Sequence, residues 1–163
     1  MNRFHVHVNV ADLDKSISFY SELFGVAPTV QHQDYAKWMI DDPQLNFAIS
    51  TGQSGTVGIA HLGLQATDKA ALAAIGQRLD AADAITLAET NTTCCYARSD
   101  KFWAEDPQGV RWETFLTTGE SMVYGSGAPR SATAPLEAAQ DERTPCCTSD
   151  EPAANAIEGA CCA

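Results

Sequence analysis

Alternation of hydrophobic and polar residues is clearest in two short stretches of the chain, which also resemble each other. "HVHVNVAD" runs from His5 to Asp12, and "HLGLQATD" runs from His61 to Asp68. Each alternates with the two-residue period of a strand and ends in aspartate, a residue favoured at the first position of a helix. The two stretches therefore predict two copies of a strand that leads into a helix.

Amphipathic segments follow both copies, namely "LDKSISFYSELF" and "KAALAAIGQRLDAA". Asp12 and Asp68 are the expected N-caps, and Gly25 is expected to close the first helix. Shorter strand-like runs come next: "VAPTVQ", "YAKWMI" and "LNFAIS" in the first half, then "ITLAET", "YARSDKFWA" and "VRWETFL" in the second. The pattern predicts two βαβββ modules, at about residues 1–52 and 57–120.

Two such modules side by side predict an α+β domain over residues 1–120, in which curved sheets enclose a cavity and helices cover the outside. In the first strand the valines face the helix, whereas His5 and His7 face the cavity. In the matching strand His61 faces the cavity. On the last strand, alternation alone leaves open whether the set that includes Glu113 points inward.

The composition changes near residue 120. Residues 121–163 are rich in alanine, serine, proline, glycine and acidic residues, with few large apolar side chains. Such a segment cannot bury enough apolar surface to offset the entropy lost on ordering, so a flexible tail is expected. It carries two cysteine pairs, Cys146 with Cys147 and Cys161 with Cys162.

Length and charge narrow the possible partners. The chain has 163 residues, enough for one domain, and a net charge of -11, which argues against nucleic acid and anionic membranes as partners. It has no apolar run long enough to span a membrane and no signal-peptide pattern at its start. A cytoplasmic protein with reduced thiols and a small-molecule partner is expected.

Adjacent cysteines recur in the domain as well, at Cys94 and Cys95. Neighbouring Cα atoms lie about 3.8 Å apart, less than the ~4.4–6.8 Å usual across a disulfide, so a bond within a pair would be strained. The pairs are better suited to bind a soft atom. For Cys94 and Cys95 the alternative is apolar packing at a strand end, although the surrounding threonine and asparagine favour a loop.

A metal site follows from the repeat. His5 and His61 hold equivalent places on two strands, and Glu113 is the carboxylate in the middle of a closing strand, so these three are the predicted ligands. With one extra residue, Gly109, in the second half, Glu113 aligns with Ala48. Two histidines and one carboxylate suit non-haem Fe(II), and ligand type also allows catalytic Zn²⁺.

Each of these residues has a simpler interpretation when taken alone. A strand histidine is often a hydrogen-bonded core residue, and Glu113 could be a solvated strand residue. His7 faces the same way as His5, but its repeat partner is Gly63, so His7 is expected to line the cavity. His32 has no matching signal and is expected to be exposed.

The duplicated βαβββ unit, "HLG" at His61 and "RWE" at Glu113 resemble the vicinal oxygen chelate superfamily of glyoxalases, bleomycin-resistance proteins and extradiol dioxygenases. The resemblance covers residues 1 to about 120. "TTCCYA" followed by "DKFWAEDPQGVRWE", with a tail of cysteine pairs, resembles organoarsenical carbon–arsenic lyases and the related cadmium-induced proteins.

This resemblance implies an Fe(II)-dependent, O₂-using enzyme that removes the organic group from trivalent organoarsenicals. It implies His5, His61 and Glu113 as metal ligands and Cys94 and Cys95 as arsenic-binding thiols. Family members can carry glutamine where this chain has His5. Two thiols can replace both exchangeable hydroxyls of a mono-organic arsenical, whereas inorganic arsenite has three exchangeable positions and would leave more readily.

Several points stay open at this level. Two basic residues, Arg98 and Lys101, follow the cysteine pair. Either of them can stabilise a cysteine thiolate by its positive charge. The alternative is that both are ordinary solvated charges on a strand. The tail cysteines either deliver arsenical or metal to the domain or are passive. Because both modules lie in one chain, a monomer can close its own cavity, and a homodimer is the alternative.

Two alternative functions compete. A soft-metal stress protein would use all six cysteines to bind cadmium or arsenite without turnover. Another enzyme of the superfamily, glyoxalase-like or ring-cleaving, would share the fold. Ala48 argues against a glyoxalase, which would need a second carboxylate there, and a ring-cleaving dioxygenase gives the adjacent thiols no role.

Overall fold

The computed structural model describes residues 1–51 and 56–125, which form a curled, mixed sheet of eight strands with two helices. In chain order the elements are β1 (Arg3–Asn9), α1 (Leu13–Phe24), β2 (Val30–Gln31), β3 (Tyr35–Ile40), β4 (Leu45–Ser50), β5 (Gly58–Gln65), α2 (Lys69–Ala81), β6 (Ile85–Cys94), β7 (Ala97–Glu105) and β8 (Arg111–Glu120).

The predicted α+β fold of two βαβββ modules is confirmed. The strand order is β2-β3-β4-β1-β5-β8-β7-β6, so each module forms one half of the sheet. The pairs β1–β4 and β5–β8 are parallel, and β1 and β5 run antiparallel at the centre. The two halves are therefore related by an approximate twofold. Two strands differ from expectation: β2 has only two residues, and β6 continues to Cys94.

The helix ends are those that the sequence predicts. Asp12 accepts a hydrogen bond from the backbone N–H of Lys15 (3.0 Å), and Asp68 accepts one from Ala71 (2.8 Å). Each bond satisfies a donor that the first helical turn leaves without a partner. Gly25 ends α1 with a φ of 69°, in the left-handed region that glycine adopts readily.

Apolar side chains place both helices on the same face of the sheet. The first-module core is built around Trp38 and Ile49, and Val6 and Val8 of β1 pack against it, as predicted. In the second module Gly76 of α2 lies against the sheet so closely that a Cβ there would lie 2.6 Å from the ring of Phe102. The opposite, concave face of the sheet is not covered by a helix of the described residues and carries the cavity-facing residues.

Strand register brings the cavity-facing residues of the central strands together. His5 of β1 is paired with Gly63 of β5, and Gly63 is paired with Glu113 of β8. His7 is paired with His61, directly before a register shift in the β1–β5 ladder. Such irregularities bend strands and redirect side chains near functional sites.

The described chain continues past β8 to Gly125. The N–H of Ser121 donates to the carbonyl of Tyr96 (2.9 Å), and the Tyr124 ring packs edge-on against Tyr35 and Tyr96. The rest of the predicted tail, with its four cysteines, lies outside the described residues. Within the described residues, the helices are too short and too polar to cross a membrane.

Candidate active site

The three predicted metal ligands meet on the concave face. The Nε2 atoms of His5 and His61 are 3.2 Å apart, and Glu113 Oε2 lies 3.7 Å from the first and 3.3 Å from the second. The three side chains are buried or nearly so. They come from β1, β5 and β8, and the inward direction of Glu113 resolves what alternation left open.

The spacing of these atoms suits a shared metal ion. Ligand atoms about 2.1 Å from one ion lie roughly 3 to 3.4 Å apart in octahedral or tetrahedral geometry. Two imidazole nitrogens and a carboxylate oxygen are donors that first-row divalent metals accept. Beside them, the buried Oδ1 of Asn46 has no hydrogen-bond partner among the described residues, so an ion's water or a ligand could satisfy it. Binding of a metal by His5, His61 and Glu113 stays a prediction.

Hydrogen bonds fix the orientation of the donors. Nδ1 of His5 lies 3.0 Å from the carbonyl oxygen of Asn46, so Nδ1–H donates and Nε2 keeps its lone pair. Burial lowers the pKa of His5 to about 4, so this imidazole is neutral at pH 7. Neutral imidazole is the form that binds a metal.

Glu113 is fixed by an unexpected partner. Nζ of Lys101 lies 2.5 Å from Oε1 of Glu113, and both side chains are buried. Burial opposes ionisation of Glu113, but the hydrogen bond with His61 and the charge of Lys101 outweigh it and lower the pKa of the carboxyl. Since Lys101 engages Oε1, the other oxygen, Oε2, is the one presented to the two histidines.

The absence of a side chain at Gly63 lets the backbones of β5 and β8 approach closely beside the predicted ligands. This residue lies between His5 and Glu113 in the register of the three central strands. A Cβ at position 63 would come within 2.1 Å of the Glu113 carbonyl oxygen. Glycine thus permits the close approach of β5 and β8.

His7 lines the pocket, as expected, and also lies close to the predicted ligands His5 and His61. One ring nitrogen from each of His5, His7 and His61 falls within 4.8 Å of the others. Nε2 of His7 contacts the hydroxyl of Ser50 at 2.9 Å, and burial lowers the pKa of His7 to about 3.

The cysteine pair lies in a two-residue hairpin turn that faces the same cavity. Cys94 ends β6, and Cys95 and Tyr96 connect it to Ala97 of β7 with φ values of 55° and 61°. Positive φ at both central positions is the conformation that matches strand twist, usually met by asparagine and glycine. The sequence left open whether the pair lies at a strand end or in a loop. In the structure Cys94 lies at a strand end and Cys95 lies in a turn.

Cys94 and Cys95 line a pocket together with two of the predicted metal ligands, His5 and Glu113. The space between its walls is about 430 Å³, a figure that includes solvent at its open mouth. Its lining includes His5, His7, Cys94, Cys95, Lys101 and Glu113. The structure therefore brings together the predicted thiols and the predicted metal donors, as the arsenical hypothesis requires.

The two thiols differ electrostatically. Their Sγ atoms are 3.2 Å apart, well beyond the ~2.05 Å of a disulfide bond, and both are free. A hydrogen bond from Cys95 lowers the pKa of Cys94, with help from the charge of Lys101. The same bond, together with burial, raises the pKa of Cys95. The pair thus favours one thiolate, at Cys94, and one thiol, at Cys95.

Of the two basic residues near the thiols, the structure selects Lys101. Arg98 is exposed, as solvated strand charges are, whereas Lys101 is 5% exposed and lines the pocket. The solvated interpretation is therefore wrong for Lys101. Alternation along β7 was the available signal, because it puts Lys101 on the face opposite Arg98.

Tyr96 ties the hairpin to the first module. Its hydroxyl donates to Asp34 Oδ1 (2.7 Å), and its ring stacks on His32 at 3.6 Å between centroids. The expectation that His32 is exposed is wrong, since it is partly covered by this stacking. The contact spans from the second module to the loop before β3, so it stabilises the position of the thiols over the cavity.

Comparisons with known proteins agree with this arrangement. The profile of the Glyoxalase/Bleomycin resistance protein/Dioxygenase superfamily matches residues 3–114. The trivalent organoarsenical cleaving enzyme of Bacillus sp. (strain MD1) is 42% identical over 115 residues, which cover 69% of this chain and 71% of that protein. The cadmium-induced protein CadI of Mycobacterium tuberculosis (strain ATCC 25618 / H37Rv) is 36% identical over 140 residues, covering 85% and 91%.

Solved structures show the same fold. A glyoxalase/bleomycin resistance protein/dioxygenase superfamily member from Vibrio splendidus 12B01 superposes with a TM-score of 0.50 at 18% identity, covering 72% of this chain and 99% of that one. At this identity the similarity concerns the fold alone.

Proposed function

Since the chain belongs to the glyoxalase/bleomycin resistance protein/dioxygenase superfamily, we propose that it is an enzyme that cleaves the carbon–arsenic bond of trivalent organoarsenicals and releases inorganic arsenite. The proposed reaction uses Fe(II) and O₂. One observation carries the proposal: the free pair Cys94 and Cys95 lines the same pocket as His5 and Glu113. The organoarsenical-cleaving relative supports the choice of substrate.

Capture of the substrate follows from the unequal thiols. A trivalent mono-organic arsenical carries two hydroxyls. The Cys94 thiolate forms the first sulfur–arsenic bond and displaces hydroxide, which takes the proton of Cys95 and leaves as water. The Cys95 thiolate then forms the second bond and displaces the other hydroxide. The organic group is the one substituent left on arsenic.

The pocket then converts an encounter in solution into an oriented complex. Arsenic held at the hairpin has its organic group inside a pocket whose other wall carries His5 and Glu113. Fixing reactants in this way removes much of the entropic part of a barrier. In the proposed oxidation of a methylarsenical, the methyl carbon leaves as formaldehyde, which takes one oxygen atom of O₂, and the other oxygen atom becomes a hydroxyl on arsenic. Arsenic then has a third exchangeable position, which two thiols do not fill.

His5, His61 and Glu113 would hold the metal, with Lys101 fixing the carboxylate from its far side. Fe(II) bound there would supply the activation of O₂ for attack on the arsenic-bound carbon. The donor types also accept other divalent metals, so iron is the preferred rather than the exclusive choice.

The proposed function also implies a type of substrate, a cellular compartment and an oligomeric state. Its substrate is a small molecule, and reduced thiols require a reducing compartment, for which we propose the cytoplasm. One chain supplies all the side chains named, so a monomer suffices.

Arsenic speciation tests the proposal. Full-length protein loaded with Fe(II) is incubated in air with an excess of trivalent methylarsenical, and inorganic arsenite is quantified over time. Arsenite should accumulate beyond the protein concentration, and turnover should be lost without O₂. Cys94→Ser and His61→Ala should each abolish turnover. Full-rate demethylation without oxygen would refute the oxidative scheme.

The second candidate is soft-metal sequestration, which the similarity to CadI and the free thiol pair favour. Sequestration would stop once cadmium or arsenic has saturated the thiols, with methylarsenical recovered intact after denaturation. An enzyme instead converts many equivalents. The same speciation experiment therefore separates the two functions.

A further inference from the structure

The two halves of the site differ at one pair of equivalent positions. Under the approximate twofold, a fourth metal donor equivalent to Glu113 would be expected at position 48, where the chain has alanine. Ala48 of β4 is paired with His7 of β1, and Glu113 of β8 is paired with Gly63 of β5. These pairings are equivalent under the approximate twofold. The second half thus has a glutamate beside a glycine, whereas the first half has an alanine beside a histidine.

We propose that His7 is a fourth protein ligand of the metal, replacing the carboxylate that Ala48 cannot supply. His7 thus offers an imidazole at the position where the other half has Gly63. The centroids of the His7 and His61 rings are 5.0 Å apart, and ring nitrogens of both lie within 4.8 Å of one another and of a His5 nitrogen. This inference rests on the proposed function in one respect, namely that a metal binds at this site.

The surroundings of His7 are those of a ligating imidazole. Metal-binding histidines generally use their second ring nitrogen in a hydrogen bond that fixes the ring. Nε2 of His7 contacts Ser50 Oγ at 2.9 Å, and the ring packs edge-on against Tyr35. His5 is fixed in the same manner through the carbonyl of Asn46. When the Ser50 hydroxyl accepts from Nε2–H, Nδ1 of His7 keeps its lone pair.

Three imidazoles and one carboxylate define the chemical class of the metal. A donor set richer in nitrogen favours the later first-row divalent ions over Mn²⁺ and Mg²⁺. In a six-coordinate ion, four protein ligands leave two positions open. Since the thiols hold arsenic, open positions remain available for a small co-substrate.

The number of coordinated imidazoles is the decisive measurement. Metal-free full-length protein is loaded anaerobically with Co²⁺, and X-ray absorption counts the imidazole ligands. We expect three in the wild type and two in His7→Gln, with Co²⁺ affinity roughly tenfold lower or more in the variant. Ser50→Ala should keep three imidazoles but bind more weakly. His32→Gln is the matched control, since His32 stacks on Tyr96 away from the donors, and should bind as the wild type does.

A count of two imidazoles in the wild type would overturn the proposal, with the buried Oδ1 of Asn46 as the available oxygen donor instead. Unchanged Co²⁺ affinity in folded His7→Gln would do the same. The wild-type count decides the matter even if the variant does not fold. Because no arsenical is present, failure here is distinct from failure of arsenite release.

Discussion

The ammonium of Lys101 and the carboxylate of Glu113 form an ion pair almost completely removed from water, with 5% and 6% of each residue exposed and 2.5 Å between Nζ and Oε1. Burial alone would lower the pKa of Lys101, but the adjacent carboxylate outweighs it and raises the pKa. Both groups are therefore charged at neutral pH. Loss of either partner leaves the other as an uncompensated buried charge.

Lys101→Met should therefore destabilise the metal-free protein by about 3–5 kcal/mol in denaturant unfolding, since Glu113 loses its cation. Added Co²⁺ should restore part of that loss, because the ion supplies a positive charge to the same carboxylate. Arg98→Met is the matched control on the exposed face of β7 and should change stability by no more than about 0.5 kcal/mol. Equal effects of the two substitutions would contradict the assigned role of Lys101.

Gly63→Ala should be far more damaging than its small size indicates. The added Cβ meets the backbone of Glu113, which cannot move without separating β5 from β8. We expect destabilisation of about 3 kcal/mol or more and loss of Co²⁺ binding in the folded fraction. Gly119→Ala in β8 is the control, as its nearest neighbour would be the flexible Arg98 side chain at 3.5 Å. Wild-type stability in Gly63→Ala would contradict the close approach.

The repeat made the fold predictable from sequence. Two stretches that begin with His5 and His61 and end with Asp12 and Asp68 give both modules, their helix starts and the valine face of β1. These features depend on residues near one another in the chain. The equivalence of Ala48 and Glu113 also followed from the repeat, and the strand register agrees with it.

Features that depend on pairing between distant strands were less accessible. Alternation along β7 puts Lys101 on the face opposite Arg98, but its ion pair with Glu113 depends on the β7–β8 register, in which Lys101 is paired with Phe115, two residues from Glu113. The closeness of His7 to His61 results from the β1–β5 register and its irregularity. The stacking of His32 on Tyr96 joins residues 64 positions apart in the chain, in different modules.

The buried histidines should make the metal-free protein sensitive to acid. The pKa of His5 falls to about 4 and that of His7 to about 3, from an ordinary value of 6.5. Between these values and pH 6.5 the unfolded chain binds more protons than the folded one. Stability should therefore be full above pH 6.5 and decline as the pH falls, by up to roughly 1.4 kcal/mol per pH unit per histidine.

Denaturant unfolding of metal-free protein between pH 7.5 and about 4.5 would measure this decline. In that range Glu113 makes little contribution, because its pKa is lowered and its stabilisation is lost only at more acidic pH. His7→Phe should show a shallower dependence than the wild type, since one of the two neutral imidazoles is gone. A slope unchanged in folded His7→Phe would refute the assignment.

Cys95 should control the reactivity of Cys94. Its S–H donates to the Cys94 sulfur and lowers the pKa of that thiol, so Cys95→Ala should raise this pKa. The rate of Cys94 alkylation by iodoacetamide, followed by peptide mass spectrometry against pH, reports the thiolate. Its midpoint should move to higher pH in Cys95→Ala but stay low in Cys95→Ser, whose hydroxyl remains a donor. The pKa of Cys94 in Cys95→Ala should not rise fully to that of an ordinary thiol, because the charge of Lys101 still favours the thiolate. Identical midpoints in the wild type and Cys95→Ala would show that the neighbouring thiol has no such effect.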